Sequence, residues 1–294
     1  MAPSPASAPL LKKGSPPFPS ELVITPRMKV GFFPWRELSE SRYVLWNLVR
    51  RNFLANYMNM NWGVLWTLLR PVIFVAVFFF IKHRSNANFQ QGLPYVLFLY
   101  PGVIVWWYFS DAAVASSSSV YRDSGLISKI YFPRVITPLV PVLSGLGDLG
   151  IQLTLVPLLM GYFGYHPGWN LVFLPLVIAQ VAATAYGLGL ILTTISTRTK
   201  SRDSGAVLKY VLYVSMFLSP VIFSPSILHQ KFRQWYYVLN PMAAPLEMLR
   251  VCLYSGLPTL FRPWGFSLIF TAGLLVVALK YFRRWEQFFG DSVL

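Results

Sequence analysis

The chain has 294 residues, a formal net charge of +15 and a mean hydropathy of +0.52, with 55% hydrophobic, 17% aromatic and only 12% charged residues. That composition excludes an ordinary soluble domain. Its basic residues fall in short runs between apolar stretches rather than on one polar face, which argues against nucleic acid and for a multi-pass membrane protein. The single cysteine, Cys252, rules out an internal disulfide or a thiolate metal cluster, and no metal or cofactor is expected on the chain.

Residues 1–36 carry eight prolines, from Pro3 to Pro34, and no apolar run long enough for a secretory signal. They read as a disordered cytoplasmic tail. The pattern changes over residues 37–60. Trp46, Val49, Phe53 and Tyr57 recur at helical spacing, and Asn47, Arg50, Arg51, Asn52, Asn56 and Asn59 supply a polar side. This predicts an amphipathic helix on the cytoplasmic membrane surface, its aromatic face in the lipid boundary and its arginines toward phosphates or a partner.

Residues 61–294 read as a transmembrane domain. Crossing the hydrocarbon takes about 20 mostly apolar residues, and six segments qualify: Trp62 to Ile81, Tyr95 to Ala115, Val135 to Phe163, Leu171 to Ile195, Tyr210 to Phe223, and Trp264 to Tyr281. The fifth is short and has room to begin earlier, near Ala206. The expected fold is therefore all-α and integral to the membrane, with six transmembrane helices and an N-terminal interface helix. Putting both termini inside places eighteen Lys and Arg on the cytoplasmic side and six outside, with Arg70 within the first span. That bias favours cytoplasmic termini.

Between the second and third spans, residues 116–138 carry Arg122, Lys129 and Arg134 with only Asp123 against them, as a cytoplasmic connector would. The outer segment 224–263 holds two apolar-aromatic stretches, each too short to cross, separated by the turn signal Asn240-Pro241. They predict two short re-entrant helices before the last span, forming an outer gate, with Trp235, Tyr236 and Tyr237 at headgroup depth and Glu247 and Arg250 spaced to pair on one helical face.

The sequence has no phosphate-binding G-x-x-x-x-G-K-[ST] loop, no H-E-x-x-H pair and no G-x-S-x-G elbow, so no enzymatic role is expected. Any ATP and Mg would belong to a partner subunit. Among intramembrane charges, Asp148 has no second acidic residue at similar depth along the sequence and Asp111 no evident partner, which weighs against proton relay or glycosyl transfer. Arg70, a lone arginine in an apolar span, would attract a phosphate. Aromatics are dense in the first, second and fifth spans. Trp62, Trp66, Phe78, Trp106, Trp107, Tyr210, Tyr213 and Phe217 are candidates to line a conduit whose rings stack on sugar faces.

At LISKIYFPRVITP (residues 126–138) the chain resembles the membrane subunits of ABC-type polysaccharide exporters, the family that moves O antigens, capsules and teichoic acids. GVLWTLLRP (63–71), LNPMAAPLEMLR (239–250) and YFRRWEQFFGDSVL (281–294) agree in order. The resemblance implies a homodimeric permease in the bacterial inner membrane, working with two copies of an ATPase subunit. It also implies a lipid-linked polysaccharide substrate, an undecaprenyl-linked O antigen being favoured over drugs or small lipids. The family's interface helix, cytoplasmic coupling segment and outer gate helices would correspond to residues 37–60, 116–134 and 227–254. Arg50, Arg51, Arg70, Arg122, Lys129 and Arg134 would serve coupling or the substrate headgroup, and Trp235, Tyr236, Asn240, Glu247 and Arg250 the outer gate.

Overall fold

A computed structural model of the chain describes residues 39–58, 62–85, 93–127, 132–199, 204–257 and 260–286. The proline-rich segment 1–36, Lys129 and the last eight residues lie outside them. Among the described residues there is no strand, and ten helices of nine or more residues carry the architecture. They are α1 (Arg42–Met58), α2 (Gly63–Ser85), α3 (Tyr95–Ser117), α4 (Ile136–Leu153), α5 (Leu155–Phe163), α6 (Leu174–Thr199), α7 (Ser204–Leu218), α8 (Gln230–Leu239), α9 (Ala243–Leu253) and α10 (Phe261–Glu286).

Five stretches are long and apolar enough to cross a membrane: Gly63–Arg84, Tyr95–Ser117, Ile136–Phe163, Trp169–Thr199 and Phe261–Glu286. The fifth segment in the expected order is shorter. The apolar pattern puts it at 210–223 with room to begin near Ala206, and the helix begins at Ser204 and ends at Leu218. Pro220 explains the stop, because its ring disfavours helical geometry at Ser219 and it offers no amide hydrogen. Residues 219–223 turn instead, with Val221 N–H donating to the Ser219 carbonyl at 2.7 Å.

The third span is broken in two. Pro157 lacks the N–H that would reach the Leu153 carbonyl and its ring crowds that carbonyl, so α4 gives way to α5 at Thr154. The Thr154 hydroxyl donates to the Ile151 carbonyl at 2.7 Å across the break. α5 ends at Gly164, whose φ of 70° only glycine adopts freely, and the Tyr165 amide donates back to Met160 at 2.9 Å.

α3 is the axis of the bundle: it packs against α2, α4, α6, α7 and α9, and α6 in turn packs against α10. Small residues permit the closest approach. A side chain at Gly189 of α6 would collide with Ser116 of α3, and that serine's hydroxyl donates to the Pro138 carbonyl at 2.8 Å while its own carbonyl accepts from Thr193 at 2.8 Å. Between α6 and α10 lies a buried polar knot. Trp264 Nε1 donates to Gln180 Oε1 at 2.7 Å, and Gln180 Nε2 donates to Ser267 Oγ at 2.8 Å and to Thr271 Oγ1 at 3.5 Å. Each member has a partner, as low-dielectric surroundings demand.

α1 turns inward part of the face expected to lie in lipid. Its inward stripe is Val44, Leu45, Leu48 and Val49, which pack on Phe132, Ile136 and Val140. Phe53 sits over Gly147 of α4, where any side chain would strike its ring. Of the expected lipid-facing set, only Trp46 points away, 66% exposed. The aliphatic pairs four residues apart decided which face turned inward, because they match the groove at the start of α4.

Candidate functional site

Two helices that pack on α3 turn aromatic faces away from it. On α2 and the residue before it these are Trp66 and Trp62, and on α7 Tyr210, Tyr213 and Phe217, all exposed. The Tyr213 and Phe217 rings meet edge to face, 5.8 Å apart. The remaining expected aromatics fall elsewhere. Trp106 is a core residue, buried against Phe109 at 5.5 Å, because the i+3 position of an enclosed α3 faces inward; it does not belong to an open surface. Phe78 is half-buried against Phe74, and Trp107 lies edge-on to Phe74 beneath the Arg70 guanidinium.

Beside these helices, α1, α2, α3 and α4 enclose a polar cavity of about 270 Å³. Arg70 and Asp111 face each other there, with Nη1 donating to Oδ2 at 3.3 Å, and the guanidinium stacks 4.2 Å from the Trp107 ring. Arg70 is thus not a lone charge, and Asp111 has a partner. Asp148 lines the same cavity as Asp111, so two carboxylates share it where sequence spacing showed one. The Tyr57 hydroxyl donates to Asp148, and Asn52 Nδ2 donates to Ser144 at 2.7 Å. Both bonds clip α1 to α4. Burial, and then the neighbouring carboxylate, push the Tyr57 hydroxyl up to about 12, so it remains a donor at any physiological pH.

The coupling cations are divided by their partners. Two single helical turns, Ser119–Arg122 and Ser124–Ile127, follow α3. Between them Asp123 stands 3.9 Å from Arg51 of α1 and 3.7 Å from Arg122, which itself reaches the polar cavity. Arg50 is exposed on the same helix. Arg134 is committed: its amide donates to Glu286 Oε1 at 3.2 Å and its Nη1 to the Glu286 carbonyl at 2.7 Å, fastening the connector to the end of α10. Lys129 falls outside the described residues.

At the opposite end, α8 and α9 are joined through Asn240–Pro241 as the turn signal predicts. Asn240 Oδ1 accepts from the Met242 amide at 3.0 Å and its Nδ2 donates to Ser219 at 2.8 Å, binding the turn to the end of α7. The Tyr236 hydroxyl donates to the Leu218 carbonyl at 2.9 Å. α8 leaves Phe232, Trp235, Val238 and Leu239 exposed, as a helix in a lipid interface would. α9 is different: apart from Glu247 it is enclosed by protein. Arg250 is the reason. It is 2% exposed, donates from Nη1 to Glu247 at 2.5 Å, from Nε to the Phe98 carbonyl at 3.0 Å and from Nη2 to the Val221 carbonyl at 3.3 Å, and covers the Phe98 ring. Burial pushes the Glu247 carboxyl up, with Arg250 holding against it. The Glu247–Arg250 spacing was legible in sequence; the two carbonyls that Arg250 also holds were not.

Several apolar helices long enough to cross, packed around α3, define a multi-pass membrane protein. Residues 43–254, from α1 through the end of α9, match the ABC-2 type transporter family, and the chain belongs to it. It is a membrane permease subunit without an ATPase domain, and permeases of this family work with ATPase subunits. The chain is similar to the O-antigen export system permease protein RfbA of Myxococcus xanthus, 25% identical over 260 residues that cover 88% of this chain and 98% of the relative. The protein of the same name from Klebsiella pneumoniae is 25% identical over 249 residues, covering 83% and 92%. The polysialic acid transport protein KpsM of Escherichia coli is 23% identical over 251 residues, covering 82% and 92%.

Proposed function

We propose that two copies of this chain form the conduit of an ATP-driven exporter of lipid-linked polysaccharide, an undecaprenyl-linked O antigen, in the bacterial inner membrane with both termini cytoplasmic. The observation that carries this reading is the pair of aromatic faces on α2 and α7, which a single chain leaves uncovered and which would meet in a homodimer. Exposed Trp and Tyr rings suit sugar faces, and their N–H and O–H groups suit hydroxyls. The names of the relatives supply the substrate class.

Two copies of a separate ATPase would bind and hydrolyse ATP with Mg and push on α1 and residues 116–127. The Tyr57–Asp148 and Asn52–Ser144 bonds, with Asp123 between Arg51 and Arg122, would carry that push into α3 and α4. Arg50, Arg51, Arg122 and Lys129 would meet the substrate's phosphate at the mouth.

Cysteine placed at Tyr213 or Trp66 tests the arrangement. Disulfide-linked dimers that abolish export, with export restored on reduction, are the expected result. Crosslinking that never exceeds a control at the exposed Trp169 would refute the conduit. The glycan is identified by deleting the gene and analysing the lipid-linked polymer that accumulates on the inner leaflet. Accumulation of none would remove the substrate assignment.

A further inference from the structure

A second cavity, about 710 Å³, opens at the end of the bundle away from α1. One wall is apolar, formed by Leu93, Phe98, Val238, Val251, Leu257 and Phe266, and Gln234, Arg233 and Arg262 supply polar groups. Its size falls within the roughly 300–1,000 Å³ of small-ligand pockets. Four charged side chains line it: Arg233, Arg250, Arg262 and Glu247. Arg250 and Glu247 are consumed by each other and by the two carbonyls described above. Arg233 and Arg262 are different, because among the described residues neither makes an ion pair.

The depth of the cavity is set by the helices that begin in it. Leu93 precedes α3, and Arg262 and Pro263 lie in the first turn of α10, so both spans enter the bilayer here. From this point α10 presents Phe266, Ile269, Phe270 and Val277 outward along its length. Two uncommitted guanidiniums at headgroup level, above an apolar wall that runs into a greasy helix face, are complementary to an anionic amphiphile. Arginine binds phosphate with paired N–H donors.

We infer that the cavity is a lipid seat: Arg233 and Arg262 hold the phosphate ester of one membrane lipid, and its chain lies along Phe266, Ile269 and Phe270 of α10. A phospholipid of the bilayer and a phosphate-linked polyprenyl carrier share this chemistry. The inference does not depend on the transport reading, since binding is measured without ATPase or export.

The test uses the full-length chain purified in neutral detergent and offered phosphatidylglycerol, a polyprenyl monophosphate or phosphatidylcholine, with lipid retained per chain counted by native mass spectrometry. Both anionic lipids should be retained at least tenfold above phosphatidylcholine. The double variant Arg233→Gln/Arg262→Gln should fall to the phosphatidylcholine level, and Arg233→Lys/Arg262→Lys should keep most of the retention. Preference for the polyprenyl phosphate assigns the seat to the carrier, and preference for phosphatidylglycerol to the bulk membrane. Equal retention of all three lipids by the natural chain, or unchanged retention in the Gln variant, overturns the proposal. If the Gln variant does not stay monodisperse, the comparison of lipids on the natural chain decides alone.

Discussion

Two arginine–carboxylate pairs occupy opposite ends of this bundle, and they teach opposite lessons. Arg250 and Glu247 are shut inside the protein, and every direction of the guanidinium is filled by a carboxylate, a carbonyl or a ring. Arg70 and Asp111 stand open, with side chains 59% and 64% exposed, beside a cavity shared with a second carboxylate. A buried, satisfied pair holds helices in place. An open pair has capacity left for something passing by or packing against it.

The contrast is sharpest on removing one member of the buried pair. Arg250→Met leaves Glu247 enclosed without a counter-charge and frees the Phe98 and Val221 carbonyls, a loss on the order of 3–5 kcal/mol. Thermal unfolding in detergent should shift down strongly or the chain should fail to stay monodisperse; a variant as stable as the natural chain would contradict the keystone role. Glu247→Gln, which keeps the shape and removes the charge, should be milder.

Next in size is the neutral knot between α6 and α10. Gln180→Leu strands Trp264 Nε1, while Ser267 keeps the Pro241 carbonyl and Thr271 keeps Thr184, and bonds of this kind in helical membrane proteins are worth roughly 0.6–2 kcal/mol. A modest drop in melting temperature is expected, and no drop would mean that water or a rearranged serine replaces the amide.

The open pair should move stability least. Arg70→Gln and Asp111→Asn, singly and together, should each change it by less than about 1 kcal/mol, the usual range for exposed pairs. Export by the assembled transporter should nevertheless fall in at least one single variant. Normal export in all three would make the pair an ordinary surface bridge and erase the functional half of the contrast. Gly147→Leu probes the same region mechanically. By driving Phe53 off α4 it should loosen α1 and lower transport-coupled ATP hydrolysis more than it lowers the melting temperature; the reverse ordering would show that α1 serves stability alone.

The outcome for individual residues follows the range over which each interaction acts. Trp66, Tyr213 and Phe217, candidates to line a conduit, are exposed on the surface of the single chain. Trp106, adjacent to Trp107 and identical in type, is buried, because which side of α3 is enclosed depends on the helices packed around it. The Asn240-Pro241 turn was readable because local backbone chemistry dictates it. That α9 would be sealed in protein while α8 stays exposed was not, since the carbonyls holding Arg250 lie 29 and 152 positions away.

From composition and pattern alone came the membrane class, the position of most spans to within a few residues and the approximate place of the two short helices before the last span; the stops at Pro157 and Pro220, inside segments expected to continue, did not. The former follow from hydrophobic length and backbone geometry, which neighbouring residues suffice to impose. The tertiary structure decided the rest. It joined Arg70 to Asp111, gathered Asp148 into the same cavity, tied Arg134 to Glu286, packed one face of α1 on α4, and left Arg233 and Arg262 without an ion pair among the described residues. A polar or charged group in a greasy bundle takes whatever counterpart folding brings within about 3 Å, and separation along the chain carries no record of that meeting.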